Sequence, residues 1–549
     1  MKLVRLKILS DFRGLKNGFE IIFDKQTPKN ENINIEPICF IGLNGSGKSN
    51  ILEVLSEIFY YLENYSNVDE KKKKDYKTPF GFEIEYILPQ NTYNKKLSTN
   101  QKAAKNDVHI KITKLPKMYP QAIAISIDPA IKYKNPEEFR SFLPGYIIGY
   151  SSGMNELISN PYIKMDFNYI QEFTKLSNNK SVGSLDINRL FFMDYDLNKL
   201  ITICNFLFDE KIDKSDLGVK NIQPVKDKIG IKSLYSFTIE LRLRRDDKNP
   251  VKLPSQLNLA VDKLKHCATL TYKSKGKAAK YGEYEEYTFS FWVNKETKKA
   301  FKHHFGSAYK LFNDLYFLRL LNNYLIGRDT QSKVLKADLG TNISAMLPKY
   351  EANKRLFYIS DLAFKKRHAK KPVYYNQLSD GEHQFLHVVG ALILLDSEGA
   401  LFLLDEPETH FNPEWRSQFV SILNECMKVD NSKREQEIIL TTHSPFIVSD
   451  CKKGKVFIFD KKGNDNKVKQ PKNPDFETYG TSIEMIYWNI FGKHETVSQM
   501  ALDNLNEIKE KIINKQISKQ EAARELLKFG NSFERMNITK LLMDREDKK

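Results

Sequence analysis

The sequence predicts an α/β fold, and three observations carry that prediction. The apolar run Glu36-Pro37-Ile38-Cys39-Phe40-Ile41 reads as a short buried strand. It leads into Gly42-Leu43-Asn44-Gly45-Ser46-Gly47-Lys48-Ser49, which fits the phosphate-loop pattern G-x-x-x-x-G-K-[ST]. Beyond it Ile51, Leu52, Val54, Leu55, Ile58, Phe59 and Leu62 recur at helical spacing. A glycine turn between strand and helix aims backbone N–H groups at one spot. The helix N-terminus adds partial positive charge there, worth roughly 0.3–1 kcal/mol per anionic group at an exposed site. Gly42, Asn44, Gly45, Ser46, Gly47 and Asn50 make up this cradle, Lys48 reaches the β- and γ-phosphates, and the Ser49 hydroxyl holds Mg²⁺.

The rest of the chain extends the pattern. Met1–Ser10 and Gly18–Phe23 read as strands around Asp11-Phe12-Arg13-Gly14-Leu15. Phe82–Leu88 and Val108–Ile112 alternate apolar and polar, as half-buried strands do. The stretches Val68–Lys77, with Lys71-Lys72-Lys73-Lys74, and Asn91–Asn106 are charged or polar loops. Pro144–Gly153 is a buried strand running into a glycine turn, and Leu185–Phe208 has helical periodicity. Ser236–Arg245 and Thr269–Val293 alternate as strands, and Lys299–Leu325 is helical and aromatic. Neither sustained heptads nor an internal repeat is visible. Ala400–Leu404, Glu437–Thr441 and Val456–Asp460 are further strands, and residues 480–549 read as helices.

Composition narrows the class. Hydrophobic residues are 41% and charged residues 28% of 549, an ordinary globular mixture. No run of about 18 apolar residues is present, and the N-terminus lacks the apolar core of a signal peptide. Five cysteines without C-x-x-C pairs suit a reducing cytosol, so a cytoplasmic protein without a membrane partner is expected. Against 69 acidic residues stand 86 basic ones, a net charge of +17 that favours a polyanion such as nucleic acid or, equally, a lysine-rich soluble surface.

Four elements follow the phosphate loop in order. Leu378-Ser379-Asp380-Gly381-Glu382 opens a helical run, where serine and glycine supply a hydroxyl and an open backbone N–H for a phosphate. Leu401-Phe402-Leu403-Leu404-Asp405-Glu406 is an apolar strand ending in two acids, which turns Asp405 toward Mg²⁺ and Glu406 toward an attacking water. Pro407-Glu408-Thr409-His410-Phe411-Asn412-Pro413 is the turn that leaves them. Thr441-Thr442-His443-Ser444-Pro445 ends the next strand, placing His443 where it could bond a γ-phosphate.

The phosphate loop, the signature Leu378–Glu382, the pair Asp405–Glu406 and His443 together resemble the ATP-binding-cassette (ABC) class of P-loop ATPases, with 26 positions from Ser379 to Asp405 and 38 from Asp405 to His443. The resemblance implies an ABC-type ATPase head with a mixed α+β insertion and a C-terminal helical segment. The chain then divides into 1–130 and 351–475 as the two halves of the head, 131–350 as the insertion and 476–549 as the helical tail. It also implies two heads sandwiching two ATP molecules. Gly42–Ser49 of one copy would face Ser379, Asp380, Gly381 and Glu382 of the other; Glu406 would activate water and His443 read the γ-phosphate. Gln90 is a candidate for the class's glutamine loop by position only.

Roughly 330 positions separate loop from signature, too many for a transporter head. The absence of heptads and of a C-x-x-C hook sets aside the coiled-coil ATPases, and Asp460 with Asp465 make a poor Toprim cluster, so no intrinsic nuclease is expected. Phe12-Arg13-Gly14-Leu15, Tyr150-Ser151-Ser152-Gly153-Met154-Asn155-Glu156, Glu406–Pro413 and Glu477-Thr478-Tyr479-Gly480-Thr481-Ser482 are similar to the stand-alone ATPases of prokaryotic defence loci, the Septu-type PtuA family with its retron-attached versions. That resemblance implies an HNH nuclease partner that the ATPase restrains or licenses, and in retron versions a reverse transcriptase with its DNA–RNA hybrid. A RecF-like repair ATPase and an ATP-sensing clamp with negligible turnover are the alternatives. His266 and His303-His304 are read as surface or core residues, the stripe Phe301, Phe305, Tyr309, Phe312 as packing, and Arg242, Arg244 and Lys365-Lys366-Arg367 as solvated bases or phosphate contacts.

Overall fold

The computed structural model describes the chain except residues 24–35, 68–79, 90–106, 117–122, 129–135, 154–155, 179–188, 213–218, 245–252, 279–281, 352–353, 396–398, 428–435, 461–466, 494 and 545–549. Gln90, Lys71–Lys74, Met154, Asn155, Asp465 and the polar loop 91–106 therefore lie outside the described residues.

Three sheets organise the described residues. An antiparallel sheet holds β1 (Lys2–Ile8), β2 (Glu20–Ile22), β4 (Phe82–Leu88), β5 (Val108–Lys114) and β6 (Ile123–Asp128) in the order β2-β1-β4-β5-β6. The central sheet contains β3 (Ile38–Gly42), β7 (Ile147–Ser151), β8 (Leu190–Phe192), β14 (Leu401–Asp405), β15 (Glu437–Thr442) and β16 (Val456–Phe459). Its order is β16-β3-β15-β14-β7-β8 and each neighbouring pair is parallel. A second antiparallel sheet holds β9 (Ile231–Arg244), β10 (Leu270–Ala278), β11 (Gly282–Trp292), β12 (Phe357–Lys366) and β13 (Val373–Tyr374), in the order β10-β11-β9-β12-β13.

The central strands are apolar along most of their length because parallel strands are covered on both faces. β3, β14 and β15 are buried at every position. Parallel strands place their carboxyl ends along one edge, where open α/β sheets bind ligands. Gly42, Asp405 and Thr442 are all last residues of such strands.

α1 (Lys48–Asn67) leaves the phosphate loop and is buried on nearly all sides. Its polar residues have inward partners: Glu53 meets Arg13 at 2.9 Å, Glu63 meets Arg140 at 2.7 Å, and Ser56 meets the Tyr162 hydroxyl at 3.1 Å. Burial pushes the Glu53 and Glu57 carboxyls up to about 7.

Three sequence readings change. β7 and β8 come from within 131–350, the stretch read as an insertion, yet they form the β14 side of the central sheet. Their short apolar cores carry no period that tells a head strand from an insertion strand. The helical periodicity over Leu185–Phe208 resolves into strand β8 followed by α2 (Tyr195–Leu207), which Asp194 caps by accepting the Leu197 N–H at 2.7 Å. The aromatic helix over 299–325 is two helices, Lys295–Phe305 and Ala308–Leu320, because Gly306 at φ 75° ends the first and Ser307 caps the second. Its aromatic stripe is core, with Phe301, Phe305 and Phe312 all buried.

Among its described residues the tail carries four helices, Ile483–Phe491, Gln499–Ile513, Lys519–Leu526 and Phe533–Asp544. The last three share a small core of their own around Leu505, Ile508, Ile512, Leu526, Ile538 and Leu542. Among the described residues no helix is long and apolar enough to cross a membrane.

Candidate nucleotide site

The loop Gly42–Ser49 joins β3 to α1 as the motif requires, and it is held tightly. Gly42 has φ 152°, and a Cβ there would stand 2.1 Å from the Phe459 carbonyl oxygen on β16. Gly47 has φ 98°, and its Cβ would stand 2.4 Å from a Val468 methyl. Only glycine fits either place. Lys48 is 6% exposed, and its Nζ donates to the carbonyls of Gly42 at 2.9 Å and Leu43 at 3.2 Å. Burial lowers its pKa, against the pull of Glu406 and Asp405. Ser46 is buried, and Asn44 and Gly45 are exposed at the loop crest.

Asp405 gathers hydroxyls. Its Oδ1 accepts from Ser49 Oγ at 2.8 Å and Thr441 Oγ1 at 2.6 Å, and its Oδ2 accepts from Ser151 Oγ at 3.4 Å. Three strand ends and the first turn of α1 thus converge on one buried carboxylate. A carboxylate and a serine hydroxyl are hard oxygen donors, the set that Mg²⁺ takes. This donor set fits the ion, which Ser49 and Asp405 would hold.

Glu406 is one residue further, at φ 50°. A non-glycine residue in the left-handed region costs of order 1–3 kcal/mol and persists where surroundings enforce it. Here Thr441 Oγ1 accepts the Glu406 N–H at 3.0 Å, and Thr409 Oγ1 donates to the Glu406 carbonyl at 3.0 Å. The Glu406 carboxylate then lies 3.4 Å from His443 Nε2. The hydrogen bond from His443 is the main reason its pKa is held below the usual carboxylate range.

Ser379 is the N-cap of α3 (Asp380–Leu394), closed by a capping box: Glu382 Oε2 accepts the Ser379 N–H at 2.9 Å and Ser379 Oγ accepts the Glu382 N–H at 3.3 Å. A Cβ on Gly381 would lie 2.9 Å from the His410 carbonyl oxygen. Burial opposes ionisation of Glu382, but Lys366 and the Ser379 N–H win and hold its pKa low. Glu382→Ala is expected to cost about 1 kcal/mol, the usual worth of a helix cap, read as a fall in Tm. The base run before the signature is therefore engaged within the chain. Lys366 pairs with Glu382, Arg367 pairs with Asp227, and Lys365 lies over the Tyr235 ring at 5.4 Å. Arg242 is likewise tied to Glu286 at 2.8 Å and Glu240 at 3.3 Å.

Residues not singled out from sequence complete the site. Thr441 bridges the Asp405 carboxylate and the Glu406 N–H. Gln384, 4% exposed, accepts the His410 N–H at 2.8 Å and donates to the Tyr150 hydroxyl at 3.1 Å and the Glu406 carbonyl at 3.4 Å. Gln384 sits as a polar residue in a largely apolar helix, but nothing local in the sequence names its partners. Asp460 is exposed and pairs with Lys469 at 2.6 Å. The rings of His266 and His304 stack at 5.4 Å, and among the described residues no group of three or more His, Cys, Asp or Glu is placed to hold a metal ion.

Residues 285–449 match the family model "AAA domain, putative AbiEii toxin, Type IV TA system". That stretch takes in Ser379, Asp405, Glu406 and His443 of the site described above. The chain is similar to Septu protein PtuA of Bacillus thuringiensis, 24% identical over 155 residues, which are 26% of this chain and 37% of that protein. It is also similar to protein ea59 of Escherichia phage lambda, 26% identical over 134 residues, 23% of this chain and 24% of that protein. The chain thus spans 37% and 24% of the length of these two curated relatives. Among solved structures, the SMC head bound to the C-terminal winged-helix domain of ScpA overlays 86% of this chain and 98% of that one at 11% identity and TM-score 0.33.

Proposed function

We propose that this chain binds and hydrolyses ATP with Mg²⁺ to close two copies around shared nucleotides, and that the closed pair restrains or licenses a partner HNH nuclease in an antiphage complex of Septu or retron type. The observation that carries the ATPase reading is the grouping, on adjacent parallel strand ends beside Lys48, of Asp405 with its hydroxyls and Glu406 with His443.

Each residue then has a task. The loop N–H groups and Lys48 bind and orient the triphosphate. Ser49 and Asp405 hold Mg²⁺, which when bound neutralises charge on the phosphate oxygens. Glu406 takes the proton of the attacking water, and His443 fixes that carboxylate and meets the γ-phosphate. Ser379 and Gly381 of a second copy complete the phosphate shell from the opposite side. The head comprises 1–130 and 351–475 together with β7 and β8, the rest of 131–350 is the insertion, and 476–549 is the tail. Nucleic acid, including a retron DNA–RNA hybrid with its reverse transcriptase, is the further company that a charge of +17 suits.

The shared site has a direct test. Lys48→Ala and Ser379→Arg are each expected to be inactive alone. Mixed in equal amounts they should regain roughly a quarter of wild-type phosphate release, the yield of one intact site in half of randomly formed pairs. A mixture no more active than its parts would rule out a site built from two copies. Co-purification of the native complex tests the nuclease.

A further inference from the structure

We propose that Glu408 is a positioning residue for His443: its buried carboxyl anchors both chain neighbours of the histidine and so sets where the imidazole stands. The proposal rests on the role given to His443 above.

Three facts support it. First, the histidine is the exposed member of a buried run. Thr442 is 0% exposed and Ser444 4%, while the His443 side chain is 34% exposed and directed at Glu406. Second, both neighbours are tied to one group. The Thr442 hydroxyl donates to Glu408 Oε1, and the same oxygen of Thr442 accepts the Ser444 N–H at 2.8 Å. The relay runs Ser444 N–H to Thr442 Oγ1 to Glu408, and it brackets residue 443 from both sides. Third, Glu408 lies on the turn that follows Glu406, so one turn supplies both the carboxylate that His443 faces and the anchor that holds the histidine in place.

A purely structural carboxyl is a poor explanation for this placement. Glu408 is 3% exposed and Arg416 bonds its backbone carbonyl rather than its carboxyl. Burying a carboxyl costs free energy, and burial pushes this one up to about 7. An apolar residue would cement the turn more cheaply; an acceptor is needed only if the Thr442 hydroxyl must be held. By this logic the requirement is for an oxygen acceptor, not for a negative charge.

That logic gives the test. Full-length protein carrying Glu408→Leu, which fills the space without an acceptor, is expected to lose about 10- to 100-fold in kcat, the range for a misplaced reacting group, with KM for ATP within about threefold. Glu408→Gln, which keeps an acceptor, should recover kcat to within about threefold of wild type. Thr442→Val, which removes the middle of the relay with little change of shape, should match Glu408→Leu and serves if that variant does not fold. In a His443→Ala background, neither Glu408→Leu nor Thr442→Val should cost anything further. If the losses instead add to that of His443→Ala, or Glu408→Gln is as damaged as Glu408→Leu, the positioning role is wrong while the histidine's own role stands. If His443→Ala alone is harmless, the role of the histidine is wrong and the proposal goes with it.

Discussion

Lys48→Ala is expected to abolish ATP turnover, with at least about a 100-fold loss, the usual cost of removing one preorganised electrostatic contact to a transferring phosphoryl group. The side chain is 6% exposed and its Nζ lies within 3.2 Å of two loop carbonyls, Gly42 and Leu43. It is held at the loop and cannot be replaced by a surface lysine swinging in. Truncation also removes a cation that Asp405 and Glu406 face at the loop. Titration with a fluorescent ATP analogue and measurement of phosphate release would check both binding and turnover. Wild-type turnover in the variant would contradict the assignment. Lys48→Arg should not rescue, because a planar guanidinium cannot occupy the slot of a compact ammonium against two carbonyls.

Glu406→Gln should separate binding from chemistry. Glutamine has the same shape, and the backbone contacts to Thr441 and Thr409 are kept. It cannot take a proton from water. The expected loss in kcat is about 10²- to 10⁴-fold, the worth of a positioned general base, with ATP affinity retained. In the proposed cycle closure precedes hydrolysis, so the variant should accumulate as an ATP-bound pair, seen by light scattering with saturating ATP and Mg²⁺. Monomer under those conditions, with or without the candidate partner, would argue against ATP-driven pairing. The left-handed backbone at this position adds a control: Glu406→Val should be worse than Glu406→Gln in Tm, because a β-branched residue resists φ 50°.

The site was legible in the sequence where chemistry forces residue type at fixed spacing. Gly42 and Gly47 had to be glycine because Phe459 and Val468 occupy the space of a side chain. Asp405 could be placed because an apolar strand that stops at an acid leaves that acid at the sheet edge. The hydroxyl at Thr441 and the amide of Gln384 were not legible. Their role comes from the register of β14 on β15, which pairs Asp405 with Thr441, and from the packing of α3 against the turn after Glu406. Registry between strands far apart in sequence leaves no local pattern. The same holds for the fold. The helical period of α1 and the alternation of β4 were readable, while β7 took its place in the sheet from pairing with a strand some 250 residues later, and β8 took its own from pairing with β7.

The bonds of Gln384 carry a consequence for two nucleotides at once. Within one protomer this amide fastens the helix that begins at Ser379 to the turn that carries Glu406. In a closed pair those two features would serve different ATP molecules. A shift of the helix as one γ-phosphate departs would therefore tug on the catalytic carboxylate of the other pocket, so that the two hydrolytic events would keep step without any contact between the nucleotides themselves.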